Sequence, residues 1–367
     1  MPSQIPRVHA LDALRGVLAI GIMVYHVLGW THVASITTLG TYGVYAFFVL
    51  SGFALEWAYG DRLRDPGGLR RYAAARIGRI LPLYSLAALT TAAMSLYARR
   101  PVDRSDLLLN VTLTFGFVNP GATSTVVGGW SIGIEVVFYA LFPLIVWLRL
   151  PTRWLAALAV SALALRIVYV GSLAQTGAGF SQAWVGYSQM PSFLWFFVAG
   201  MLGSRLVAAR DARRAAATAI RAGIRESWPF AAGVGLIGLV VAATVIGDQR
   251  DKVVWPLGAL LALTVAMAVV LAGHALPWHG RPARIATLLG DLSYGTYLLH
   301  PIVWRALSFA HVGGRTAVVL TFIGAPLLAL VVHRLIEVPA GRAIRSTLGR
   351  RPTPARVVPA SPPADPA

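Results

Sequence analysis

The chain has 367 residues, of which 57% are hydrophobic and only 13% charged, with a mean hydropathy of +0.67. A soluble domain carries about a quarter charged residues, so the composition excludes an ordinary soluble enzyme. The net charge of +18 invites a nucleic-acid reading, but the arginines stand between apolar blocks rather than along one amphipathic face, and no nucleic-acid motif accompanies them. With no cysteine, disulfides, thiolate metal sites and a cysteine acyl-enzyme are also excluded.

A membrane helix needs roughly 20 mainly apolar residues, and ten blocks approach that length: 11–30, 39–58, 79–98, 127–148, 154–172, 190–208, 229–247, 253–272, 287–307 and 315–336. The expected fold is therefore all-α, a polytopic transmembrane helical bundle of about ten spans. With the N-terminus placed in the cytoplasm, the inner loops hold 23 of the 32 basic residues and the outer loops seven, while Arg15 and Arg166 lie within helices. That bias follows the positive-inside rule and puts the C-terminus inside as well. The first block has no short core followed by a small-residue cleavage site, so it is read as a retained helix rather than a signal peptide. The stretch 106–118 is too short to span; it either lies on the surface or dips into the protein. Residues 1–340 are expected to form one transmembrane domain and 341–367 a disordered cytoplasmic tail rich in Pro, Ala and Arg. No internal repeat supports an inverted-repeat transporter.

An ionisable side chain in a spanning helix costs about 2.5–3.5 kcal/mol on insertion, so each one needs a reason. The first helix carries Asp12, Arg15 and His26. Arg15 and His26 are eleven residues apart, almost three helical turns, so they share a face and stand roughly 16 Å apart along the axis. A donor with a phosphorylated tail and a reactive thioester end fits that spacing. The structural alternative is an arginine reaching lipid phosphates and a histidine bonding within the bundle. The fourth block reads Trp130-Ser131-Ile132-Gly133-Ile134-Glu135 and then Phe138-Tyr139, placing Ser131, Glu135 and Tyr139 on one face. Glu135 needs a partner, either His26, which it would orient, or a buried arginine.

Arg76 and Arg79 stand together at the start of the third helix and suit phosphates, or simply mark a cytoplasmic loop. Ser51 lacks the G-x-S-x-G setting of a nucleophile and is read mainly as a packing residue at a helix contact. Tyr297 and His300 share a face of the ninth block, either lining a substrate cavity with Trp130 and Tyr139 or standing at an interface, with His300 inclined to a support role. His333 and Glu337 form a local i,i+4 pair, whereas His9, His32, His274, His279 and His311 receive no role. The glycosylation triplet Asn110-Val111-Thr112 is too common a pattern to carry weight, and there is no P-loop, H-E-x-x-H or G-x-G-x-x-G motif. No metal site is expected.

In order, the motifs are Leu11-Asp12-x-Leu14-Arg15-Gly16 with His26, Phe47-Phe48-x-Leu50-Ser51-Gly52-Phe53, Arg76-x-x-Arg79-Ile80-x-Pro82-x-Tyr84, and Trp130-Ser131-x-x-x-Glu135-x-x-Phe138-Tyr139 with Pro143. Phe197-x-x-Gly200-Met201, Ser293-Tyr294-x-x-Tyr297-Leu298-x-His300-Pro301 and Glu337-x-Pro339 follow. This series resembles the acyltransferase-3 family of membrane O-acyltransferases, which includes polysaccharide O-acetyltransferases and macrolide O-acyltransferases. The resemblance implies a plasma-membrane, multi-pass enzyme of about ten helices. It also implies a cytoplasmic acyl-CoA donor, by default acetyl-CoA, and a hydroxyl acceptor on a glycan, glycolipid or macrolide. Arg15 and His26 take the positions of the family's essential pair, and Arg76 and Arg79 those of its donor-binding R-x-x-R. Some members add a soluble hydrolase-like domain; none is expected here, so either the membrane unit transfers directly or a separate periplasmic or extracellular protein finishes the transfer. The competing classes are a transporter or acyl exporter without chemistry of its own, and a scaffold for another transferase.

Overall fold

The computed structural model describes residues 8–34, 36–175, 180–216 and 280–348; the expected blocks 229–247 and 253–272 lie outside them. Every regular element among the described residues is helical. In chain order these are α1 (His9–Trp30), α2 (Thr37–Tyr59), α3 (Gly68–Tyr97), α4 (Arg104–Val111), α5 (Pro120–Thr123), α6 (Gly129–Trp147), α7 (Thr152–Gln175), α8 (Phe180–Tyr187), α9 (Leu194–Ala216), α10 (Gly280–Phe309), α11 (Gly314–Val332) and α12 (Val338–Leu348). Six of the described helical stretches are long and apolar enough to cross a membrane: α1, Leu39–Tyr59 of α2, α3, α6, Thr152–Leu173 of α7, and the run from Gly314 to Leu348. The apolar part of α9, Leu194–Ala209, is shorter. The 30-residue α10 brings polar Ser293, Thr296, Tyr297 and His300 into the interior.

Two close helix pairs frame the bundle. α1 and α10 run parallel: Gly16 faces Leu289, Gly290 faces Asp12, and His26 meets His300 further along. α2 and α9 also run parallel. A Cβ on Gly52 would fall on the Phe197 carbonyl, and one on Gly200 on the Val49 carbonyl. Without side chains at these crossings the backbones touch, the usual route to tight helix contact in a lipid environment. An ion pair of 2.5 Å ties Glu56, in the last turn of α2, to Arg205 midway along α9.

Prolines inside the helices have identifiable consequences. Pro143 cannot donate to the carbonyl four residues earlier, and that carbonyl, on Tyr139, accepts instead from the Tyr72 hydroxyl at 2.8 Å. This stitches α3 to α6 beside the site described below. Pro82 likewise frees the Gly78 carbonyl, which lies against Gly341 where α12 packs on α3. Order therefore extends beyond the expected boundary at residue 340, because α12 folds back onto α3 through Leu348; residues 349–367 lie outside the described ones. His333 and Glu337 do pair, at 3.0 Å, within a π-helical turn that joins α11 to α12.

The stretch 106–118 anchors Asn110, Leu113 and Phe115 in the bundle while Leu108, Phe117 and Val118 stay exposed. Asp103 caps α4 by accepting from the Ser105 and Asp106 amides at 2.8 and 3.1 Å. The Ser105 hydroxyl and those amides hold the Asp103 carboxyl below its usual range, so the charged cap persists until the pH falls through that lowered value. Phe115 is fully buried and stacks on Tyr84. Asn110 is fully buried as well: its side chain accepts from the Tyr84 hydroxyl and donates to the Asp106 and Thr123 carbonyls. This fold thus closes Asn110 to glycosylation.

Candidate active site

Two adjoining chambers lie among the helices. One, of about 70 Å³, is walled by Arg15, Arg76, Arg79, Glu135 and Tyr139. The other, of about 530 Å³, is walled by His26 and by the aromatic residues Tyr25, Tyr45, Trp130, Trp184 and Tyr187. Val44 and Tyr297 line both and form the boundary between them. Arg15 and His26 thus share a face of α1, one in the arginine chamber and the other in the histidine chamber.

The arginine chamber draws three guanidinium groups from two helices. Arg15 lies 3.9 Å from Asp12 one turn earlier. Arg76 sits over the rings of Tyr59 and Tyr139, 5.5 and 5.6 Å from their centroids, and its Nε is buried with no hydrogen-bond partner. Arg79 completes the wall. Against these three stand two carboxylates, Asp12 beside Arg15 and, in the lining itself, Glu135. The Ser51 and Tyr139 hydroxyls both donate to the Glu135 Oε1 at 2.7 Å. Unbalanced positive charge away from water is costly unless an anion or other partner completes it. The charge left over suits an anionic guest.

Of the two partners expected for Glu135, a buried arginine or His26, the histidine is not the one beside it. Glu135 lies on α6 in the arginine chamber and is satisfied by two hydroxyls there, while the imidazole of His26 finds another imidazole. His26 Nδ1 is 2.9 Å from His300 Nε2, and His300 Nδ1 is 3.1 Å from the Thr296 carbonyl. The spacing of α1 and α10 explains this, since their parallel approach at Gly16 and Gly290 carries His26 directly onto His300. Trp30 flanks both rings, with centroids 5.4 Å from His26 and 5.8 Å from His300. His300 is fully buried behind the chamber rather than on its wall.

At the boundary, the Ser131 and Tyr297 hydroxyls are 2.9 Å apart and reach the Gly128 carbonyl at 2.9 and 2.8 Å. Gly128 adopts a left-handed φ of +76°, and a Cβ there would stand 2.6 Å from the Tyr297 hydroxyl, so only glycine opens α6 at this point. Ser51 serves Glu135 rather than either chamber wall, whereas Trp130 lines the histidine chamber edge-on to Trp184, with centroids 5.0 Å apart.

Sequence reasoning missed the rest of the aromatic wall. Tyr45 and Tyr187 meet hydroxyl to hydroxyl, and the fully buried Arg166 stands behind them. Its guanidinium donates to the Ser192 carbonyl and lies 5.4 Å from the ring centroids of Tyr45 and Phe196. One signal was present, an arginine inside an apolar block, which in a membrane helix marks either function or a costly structural fixture.

Similarity to known proteins follows the same outline. The model of the acyltransferase domain matches residues 8–334. The chain is 26% identical over 344 residues to Acyltransferase MdmB of Streptomyces mycarofaciens, covering 83% of this chain and 81% of that protein. It is 28% identical over 327 residues to Exopolysaccharide production protein ExoZ of Rhizobium meliloti (strain 1021), covering 85% and 94% respectively. No solved structure matches the chain. Spanning helices, buried motifs and a family match running from α1 into the last long helix agree, and the chain belongs to the acyltransferase-3 family of membrane acyltransferases.

Proposed function

We propose that this protein is a plasma-membrane O-acyltransferase that moves an acyl group, acetyl by default, from cytoplasmic acyl-CoA to a hydroxyl of a glycan, glycolipid or macrolide-type acceptor. In this reading the bundle has ten spans with both termini in the cytoplasm, and the arginine chamber opens inward. The observation that carries it is the adjacency of an anion-seeking chamber and an imidazole-bearing one on a single helix face. Arg15, Arg76 and Arg79 hold the donor's phosphates as charge-assisted, planar hydrogen-bond donors. The pantetheine arm passes Val44 and Tyr297 and brings the thioester to His26. Rings of Tyr25, Trp130, Trp184 and Tyr187 give a sugar or macrolide ring apolar faces with polar rims. Of the relatives, ExoZ is named for exopolysaccharide production, which favours a cell-surface glycan among these acceptors.

His26 acts as general base. It takes the acceptor's hydroxyl proton as the oxygen attacks the thioester carbonyl. Collapse of the tetrahedral intermediate breaks the C–S bond, and the proton passes from His26 to the departing thiolate. Glu135 balances charge in the arginine chamber.

The test uses purified protein in proteoliposomes, supplied with acetyl-CoA and candidate acceptors, and follows free coenzyme A together with acylated product. Acceptor-dependent release by the chain alone supports direct transfer without a partner protein. Failure to release coenzyme A with acceptor present favours a transporter without chemistry of its own. Stoichiometric acyl-protein formed at His26 without acceptor makes the imidazole a covalent carrier instead of a base.

A further inference from the structure

We propose that His300 is the positioning residue for His26, holding it in the Nδ1–H tautomer so that Nε2 is left as the reactive atom. The inference rests on the reading of His26 as the group that acts on the acceptor, and it names the device that makes such a histidine competent.

The argument begins at a group that cannot change its role. The Thr296 carbonyl accepts hydrogen bonds and donates none, so the proton between it and His300 Nδ1, 3.1 Å away, belongs to the imidazole. A neutral imidazole carries a single N–H. His300 Nε2 is therefore a bare lone pair. It stands 2.9 Å from His26 Nδ1, a hydrogen-bond distance that requires a proton on His26. The same one-proton rule then leaves His26 Nε2 bare. Direction is set along the whole chain, from backbone carbonyl to His300 to His26, by an acceptor that belongs to the α10 backbone.

Both rings are neutral in this arrangement. Burial disfavours the charged form of an imidazole; His300 is fully buried, and the two rings lie 5.1 Å apart between centroids, so a charge on either would be held away from water. The protein also fixes the geometry. Trp30 stacks against both rings, His300 is fully buried, and the close crossing of Gly16 and Gly290 sets the distance between the helices. His26 itself lines the histidine chamber, so its free lone pair belongs to the ring that meets substrate. Where a carboxylate commonly orients a catalytic histidine, a second histidine anchored to a peptide carbonyl takes that place here, and Glu135 is left to the arginine chamber.

The experiment combines magic-angle-spinning NMR of ¹⁵N-histidine-labelled full-length protein in bilayers with steady-state kinetics. H26A identifies the His26 resonances by their loss. The wild type is expected to show His26 with a protonated Nδ1 and a bare Nε2. In H300A the His26 signal should redistribute towards the Nε2–H form. Its kcat should fall on the order of 10²-fold or more, the effect of losing the partner that sets a catalytic tautomer, with KM for both substrates within about twofold of wild type. H300Q, whose side-chain oxygen can accept from His26 Nδ1, should restore the tautomer and most of kcat. A wild-type His26 protonated at Nε2 overturns the proposal, and so does an H300A protein with unchanged kcat or one that H300Q does not improve upon. If H300A fails to fold, the wild-type spectrum and the H300Q kinetics still decide. If wild-type protein transfers no acyl group, the proposed function fails while the NMR arm still decides the tautomer.

Discussion

The two chambers share helices α1 and α6 and the boundary residues Val44 and Tyr297, but they are built from opposite chemistry. The arginine chamber is small and charged, with three guanidinium groups set against Glu135 and the Asp12 beside Arg15. The histidine chamber is about 530 Å³ and rich in aromatic rings, with one imidazole on its wall. The first is suited to hold an anion in one place. The second has room for a bulky neutral ring and a base beside it. The contrast predicts that damage to one chamber weakens use of the donor, and damage to the other weakens chemistry or use of the acceptor.

Replacing His26 with Ala should produce the largest effect. Loss of a general base costs on the order of 10²- to 10⁴-fold, and it should appear in kcat with KM for acyl-CoA unchanged. Initial-rate measurements on purified protein decide this, and near-normal kcat would dissolve the distinction between the chambers.

Arg79→Ala comes next. Removing one partner of a buried, charge-assisted contact costs about 2–5 kcal/mol, so KM for acyl-CoA should rise by about 30-fold or more while KM for acceptor stays put. An acyl-pantetheine donor, which lacks the nucleotide phosphates, separates charge recognition from general damage. R79A and wild type should use it equally well. A defect that persists with acyl-pantetheine would show that Arg79 supports the fold rather than binding phosphate.

The chambers were unequally legible in the sequence, and the reason is physical. Arg15, Arg76, Arg79 and Glu135 stand out because ionisable groups are expensive in an apolar helix, and their type alone announces a polar interior. Helical spacing correctly put Arg15 and His26 on one face because eleven residues nearly close three turns. Tyr45, Trp184 and Tyr187 gave no such signal, since an aromatic ring belongs in an apolar core whether or not it lines a cavity. The partner of His26 was missed for another reason. Contact between α1 and α10 joins residues separated by 274 positions in the chain, and only the packing of Gly16 and Gly290 determines which side chains meet. For α12, Pro, Ala and Arg content suggested a tail, whereas Gly341 fits against the carbonyl that Pro82 frees.

Arg166→Leu tests whether the aromatic wall depends on its buried cation. The guanidinium contacts Tyr45, Phe193 and Phe196 and donates to the Ser192 carbonyl. Desolvated cation–π contacts are worth about 2 kcal/mol or more, so thermal unfolding in detergent should begin at lower temperature, with KM for acyl-CoA unaffected. A parallel rise in donor KM would mean that the two chambers are mechanically coupled.

The smallest effect should come from Trp184→Ala, and it bears most directly on acceptor recognition. Trp184 stands edge-on to Trp130 and also contacts Tyr187, so its loss removes one aromatic face of the chamber while His26 and the arginines keep their own side chains. An aromatic contact contributes about 0.5–1.5 kcal/mol beyond its buried area, equivalent to a twofold to twelvefold rise in acceptor KM. Because the base and the donor site are intact, slow hydrolysis of acyl-CoA by water should continue at the wild-type rate. Paired measurement of transfer and hydrolysis therefore locates Trp184. If both fall together the ring shapes the site around His26, and if transfer alone falls it is the surface against which the acceptor ring lies.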